Sequence, residues 1–148
     1  MTTTKLIVRK TYLVREIAIA FMLTGVVVHV ISAVMGLEFL LQYVFTPKFD
    51  LFLMLAIGYA AVGLPLTWRK FDLTRMWRRI VYAIIVVFCW AEIPIHVKIQ
   101  MSQDTSILKM TPRGYDLIIL PVLLFFAWFL INLKTSPTLK EQEHVGAK

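Results

Sequence analysis

Four apolar stretches, roughly residues 17–36, 49–68, 80–97 and 115–133, divide this chain, and its charges fall almost entirely between them. Each stretch is close to the ~20 residues that carry a helix, at ~1.5 Å per residue, across a ~30 Å hydrocarbon core. The pattern predicts an all-α membrane protein, four transmembrane helices in an antiparallel bundle. Apolar character in the first run continues past Gly36 and Glu38 to Phe45. The segment Leu37–Phe45 is therefore expected either to prolong a tilted first helix or to turn and lie along the interface, with Pro47 ending it in both cases. The short link Thr46-Pro47-Lys48 makes the first two spans a hairpin.

Composition leaves room for little else. Of 148 residues, 59% are hydrophobic and 17% charged. No polar stretch is long enough to bury a core of its own, so residues 1–148 read as one membrane domain ending in a mobile tail, 135–148. The first run exceeds the 7–15 residues typical of a signal-peptide core and reads as a retained anchor. Cys89 is the single cysteine, which excludes an internal disulfide and the cysteine-pair chemistry that passes electrons to quinone.

Charge asymmetry gives an orientation. With the N-terminus inside, twelve Lys and Arg lie on the inner side and four, Lys48, Lys98, Lys109 and Arg113, on the outer. The positive-inside rule then puts both termini in the cytoplasm of a cytoplasmic-type membrane. The net charge of +7 is thus topological rather than a sign of nucleic-acid binding. Arg69, Lys70, Arg75, Trp77, Arg78 and Arg79 alternate basic and apolar character, as expected of an interfacial anchor for anionic phospholipid headgroups. Trp68, Tyr82 and Trp128 fit the same inner belt, and Tyr43, Phe45, Phe49 and Tyr115 an outer one.

Few ionisable side chains sit at membrane depth, where each costs about 2.5–3.5 kcal/mol on insertion scales. Counted from the inner ends of their spans, His29 and Glu92 both lie about 18 Å in, so they are expected to pair across spans one and three. Gly25, His29, Ser32 and Gly36 share one small or polar stripe, which should pack against protein. Cys89, Glu92 and His96 lie on one face of span three, and with His29 they form a candidate metal-ligand set. His29 and His96 together are the minimum for bis-imidazole haem ligation, although His96 lies about 6 Å nearer the outer side by the same count. Asp116 and Asn132, at the ends of span four, need only an interfacial explanation.

No complete catalytic or transport signature accompanies these residues. The expectation is an accessory or structural subunit of a larger respiratory, photosynthetic or membrane-oxygenase complex, packing against other integral membrane subunits and bound lipids. In that case the buried polar residues act as glue between helices, and no enzyme activity or cofactor is assigned. Two alternatives stay open: a redox protein binding metal or haem through His29, Cys89, Glu92 and His96, and a proton-coupled small-molecule carrier using Glu92. The stretch from Arg15 to His29, with Phe21 and Gly25, resembles the first span of DoxX-like four-helix membrane proteins. It covers a tenth of the chain, and no function is carried over from it.

Overall fold

Local chemistry sets where each helix starts and stops. The computed structural model describes residues 3–112 and 114–136. Helix α1 runs Thr3–Met35 and ends at Gly36, whose φ of 90° breaks the helical path at a residue without a Cβ. Helix α2 runs Pro47–Thr67; Thr46 caps it by accepting from the Phe49 amide at 3.2 Å, and Pro47 stands where a helix needs no amide donor. Helix α3 runs Met76–Ser102 and stops at Gln103, which is left-handed at φ 54°. Helix α4 runs Tyr115–Ile131 behind Gly114, at φ 81°.

Among the described residues the fold is all-helical, with one isolated antiparallel bridge between Phe71 and Thr135. Three segments, Thr11–Met35, Pro47–Lys70 and Met76–Ser102, are long and apolar enough to cross a membrane, and the apolar α4 is shorter at 17 residues. The exposed side chains agree: Val34, Phe52, Leu66, Val87 and Leu117 are each more than half exposed, an apolar surface that only a lipid phase or other protein would cover. This is an integral membrane protein by composition and helix length.

Helix α1 packs between α4 and α2, and α2 packs between α1 and α3. Helices α1 and α3 therefore stand diagonally. The backbones of α3 and α4 stay farther apart and are bridged by aromatic side chains, Phe88 to Phe126 with ring centroids at 5.6 Å and Trp77 to Phe129 at 5.9 Å. Small residues allow the close approaches. A Cβ at Gly63 would lie 2.7 Å from Val14, and Ala18, Ala60 and Ala61 are fully buried nearby. Gly63→Ala is expected to destabilise by about 1–3 kcal/mol, because the stiff Val14 side chain cannot rotate away. Gly58→Ala, where a Cβ meets nothing within 4 Å, should be neutral or slightly stabilising in the same SDS-unfolding titration.

One end of the bundle, the basic end, is tied by the loop after α2. Phe71 bridges Thr135, the Asp72 amide donates to the Lys134 carbonyl at 2.8 Å, and the Ser136 amide donates to the Lys70 carbonyl at 2.8 Å. Thr135 and Ser136, expected in a mobile tail, are held because they pair with this loop; residues 137–148 of that tail lie outside the described residues. Arg78 bonds Asp72 at 2.7 Å, Arg79 bonds the Leu73 carbonyl at 2.7 Å, and Arg15 bonds the Leu133 carbonyl at 3.0 Å. The Thr74 hydroxyl and amide, with Arg78, hold the Asp72 carboxyl below its usual range. Arg78 and Arg79, expected to face headgroups, thus spend part of their guanidinium groups on the loop itself, whereas Arg69 and Arg75 remain exposed. Tyr82 is no belt residue: it is buried, and its hydroxyl donates to the Leu64 carbonyl at 2.8 Å.

Candidate functional site

At the opposite, far end the helices enclose a cavity of about 350 Å³. Its floor is apolar, with Phe21, Gly25, Leu53, Phe88 and Leu123; nearer the far end the wall carries His29, Ser32, Glu92, His96, Tyr115 and Asp116. Below it, Met22, Ile57, Leu64, Ile85 and Leu130 are fully buried, so the half toward the basic end is close-packed.

Two histidine–aspartate pairs stand in this wall. Nδ1 of His29 donates to Oδ1 of Asp116 at 2.6 Å, and the Ser32 hydroxyl donates to Oδ2 of the same carboxylate at 2.9 Å. Nδ1 of His96 donates to Oδ1 of Asp50 at 2.6 Å, while Gln100 Nε2 donates to Oδ2 at 2.7 Å and to the Pro47 carbonyl at 2.8 Å. The first pair joins α1 to α4 and the second joins α3 to α2. Their settings differ. The side chains of Asp50 and His96 are 0% and 9% exposed, against 29% and 24% for Asp116 and His29. Both aspartates stand in the first turn of their helices, where the dipole favours a carboxylate.

Glu92 lines the same cavity, one helical turn before His96. It lies within electrostatic reach of both His29 and His96, yet among the described residues its carboxylate takes no hydrogen bond. No buried side-chain nitrogen or oxygen lacks a partner there either, so the Glu92 oxygens are not sealed in protein. They open to the cavity that Glu92 lines. Burying an unpaired carboxylate is costly, and a fold that does so at membrane depth gives it access to something it can bond.

These contacts correct the expected pairing of His29 with Glu92. His29 does bond a carboxylate, but it is Asp116, because α1 adjoins α4 and lies diagonal to α3. The depth match was counted from the basic ends of the spans. Counted from the far ends, His29 is six residues from Met35 and Glu92 ten from Ser102, a difference of about 6 Å. Three members of the small stripe pack against protein, Gly25 against Leu123 and both His29 and Ser32 on Asp116, with α4 as the neighbour, whereas Gly36 is exposed and has nothing within 4 Å of a Cβ. Asp116 therefore has a role beyond the interface.

The four-residue metal set is not assembled. Among the described residues no three His, Cys, Asp or Glu side chains are grouped closely enough to hold an ion. His29 and His96 each turn Nδ1 to an aspartate of their own, and Cys89 is wholly buried on the same stripe of α3 as Tyr82, Ile85 and Ile99, the stripe that meets α2. Each imidazole keeps Nε2 for a ligand, as an axial haem ligand would. The space, however, is little more than twice the ~150 Å³ cavity that holds one benzene ring, which is small for a four-pyrrole macrocycle.

Two loops roof the cavity. The segment after Gly36 folds as a short helical turn, Leu37–Phe39, and a wider π turn, Leu40–Val44, closed by the Phe45 amide on the Leu40 carbonyl at 2.7 Å. It neither extends α1 nor lies flat, since Leu40 and Phe45 are buried and line the cavity with Leu37. Leu108, Lys109 and Pro112, in and after the 3-10 turn Ser106–Met110, form the other half. Lys109 Nζ meets Glu38 Oε1 at 2.8 Å, an exposed ion pair tying the two.

Asp50, Gln100, Asp116 and Tyr115 were not singled out from the sequence as site residues. From the sequence, Asp116 has only an interfacial explanation, and Asp50, Gln100 and Tyr115 have no part in a site. A histidine and an aspartate near the same end of two neighbouring spans is the signal that would have found the two aspartates. No known protein family, curated protein or solved structure matches this chain; the reading of its function rests on the residues themselves.

Proposed function

We propose that this protein binds a small amphipathic molecule within the membrane and exchanges protons with it. The observation that carries this reading is the convergence of Glu92 and two aspartate-backed histidines on one cavity with apolar walls. Ligand sites are typically such clefts, mostly apolar with a few oriented polar groups. Helical glue requires pairs that satisfy one another, which describes His29–Asp116 and His96–Asp50 but not Glu92. A carboxylate next to two imidazoles is suited to take up or release a proton as a ligand's own groups change state. Asp116 and Asp50 act behind the histidines, fixing the tautomer that offers Nε2 to the cavity.

In this reading four helices cross the bilayer with the basic end in the cytoplasm, so the cavity opens in the outer half of the membrane. The exposed Arg69 and Arg75 beside Trp68 and Trp77 contact anionic headgroups on the inner side, at roughly 1 kcal/mol per basic residue. A carrier using Glu92 needs a route to the inner face, and the packed basic half argues for binding and chemistry from one side. The apolar outer faces suit lipid as well as partner subunits, so they do not favour an accessory-subunit role over this one.

The test is photolabelling of the full chain in nanodiscs with a diazirine-bearing 4-octylphenol, followed by peptide mapping. Labels are expected on the cavity-lining parts of α1, α3 and α4, and Leu108→Trp, which fills the roof from a loop, should cut labelling about tenfold. Labelling spread over the lipid-facing residues and unchanged by Leu108→Trp, with stoichiometric co-purification of large membrane proteins, would replace this reading by the accessory-subunit one.

A further inference from the structure

The two histidine–aspartate pairs restrict what the ligand is. We propose that the cavity takes a flat ring bearing oxygens on opposite edges, each exchanging between carbonyl and hydroxyl: a quinone or quinol by chemical class. This deepens the reading of the cavity as a ligand site and rests on it.

The geometry points there in three steps. First, the imidazoles reach the cavity from different helix pairs, His29 from α1 beside α4 and His96 from α3 beside α2. Each is six residues from the far end of its helix, Met35 or Ser102, about 9 Å by helical rise. Second, each has Nδ1 committed to aspartate, leaving Nε2 as the cavity-facing nitrogen. With the imidazole neutral, Nε2 is an acceptor and suits a hydroxyl; with the imidazole protonated, Nε2–H is a donor and suits a carbonyl. The same pair therefore serves an oxygen in either its carbonyl or its hydroxyl form, and two such pairs serve two oxygens.

Third, the rest of the wall suits a ring. Phe21, Phe45, Phe88 and Tyr115 offer aromatic faces and edges. A space a little over twice that of a benzene-sized cavity holds one substituted ring with part of a side chain. Glu92, bonded to neither histidine, lines the same cavity and is left free to meet the ligand itself. Binding of either form needs no electron step in this protein; only hydrogen bonds and protons rearrange.

The test measures competition against the octylphenol photoprobe by four ring compounds of one shape: duroquinone, durohydroquinone, 2,3,5,6-tetramethylphenol and durene, which carry two, two, one and no oxygens. The two-oxygen rings are expected to bind about tenfold more tightly than the phenol, and the phenol more tightly than durene, as each hydrogen bond is added. His29→Gln should bring duroquinone down to the level of the phenol, and His96→Gln should do the same. The His29 pair is the more exposed, so His29→Gln carries the test should His96→Gln fail to fold. Equal binding of all four rings, or a two-oxygen preference untouched by His29→Gln, would overturn the ligand class while leaving the cavity reading intact. Failure of the octylphenol itself to label the cavity would overturn both.

Discussion

His96→Leu is expected to cost the folded protein about 3–5 kcal/mol, the range found when one partner of a buried ion pair is removed. The reason lies in Asp50. Its side chain is 0% exposed and is held by His96 at 2.6 Å and Gln100 at 2.7 Å. Without the imidazole the carboxylate keeps one side-chain donor and no access to water. Reversible unfolding in mixed micelles, titrated with SDS, measures the loss. The double variant Asp50→Leu with His96→Leu should recover most of it, because replacing both partners by apolar groups removes the stranded charge. His29→Leu should cost distinctly less, since Asp116 is 29% exposed and retains the Ser32 hydroxyl. Equal costs for the two histidines, or no recovery in the double variant, would mean that the His96–Asp50 contact does not hold α3 to α2.

Glu92→Gln is expected to separate stability from function. The amide keeps the size and removes only the proton that the carboxylate exchanges, so the SDS midpoint should stay level or rise as an unpaired, half-buried acid is lost. Proton exchange on ligand binding should fall to near zero. Calorimetric titration of the full chain with durohydroquinone, in buffers of different ionisation enthalpy, counts the protons directly. A wild-type value that Glu92→Gln leaves unchanged would remove Glu92 from the proton pathway. A Glu92→Gln protein that no longer folds would assign Glu92 to helix packing, because an amide would then be failing to replace a structural acid.

The two effects fall on residues that differed in how visible they were. Glu92 stood out at once as a carboxylate inside an apolar run, and His29 and His96 stood out for the same reason. Asp50 and Asp116 did not. Each sits at the start of an apolar stretch, where a carboxylate is normal for a helix N-terminus, and nothing local distinguishes that use from a second one. Gln100 was hidden more deeply still, one of several polar residues leading out of span three. The choice of partner for His29 illustrates the limit. Depth along a span follows from residue number, but the neighbour that a given face meets depends on how four helices are arranged around one another.

The chain alone determined the class of fold: long apolar runs, the break at Gly36 and the stop at Pro47, and the split of basic from apolar segments, because burial in lipid and backbone hydrogen bonding act on each segment independently. It also determined which helix faces were small or polar, through the 3.6-residue period. Only the tertiary arrangement decided that α1 adjoins α4 rather than α3, that His29 and His96 each have an aspartate of their own, and that Glu92 takes no hydrogen bond among the described residues. It decided too that the Leu37–Phe45 segment closes over a cavity instead of lying in the interface. These are relations between distant parts of the chain, set by side-chain packing, and no single segment contains the information that selects among them.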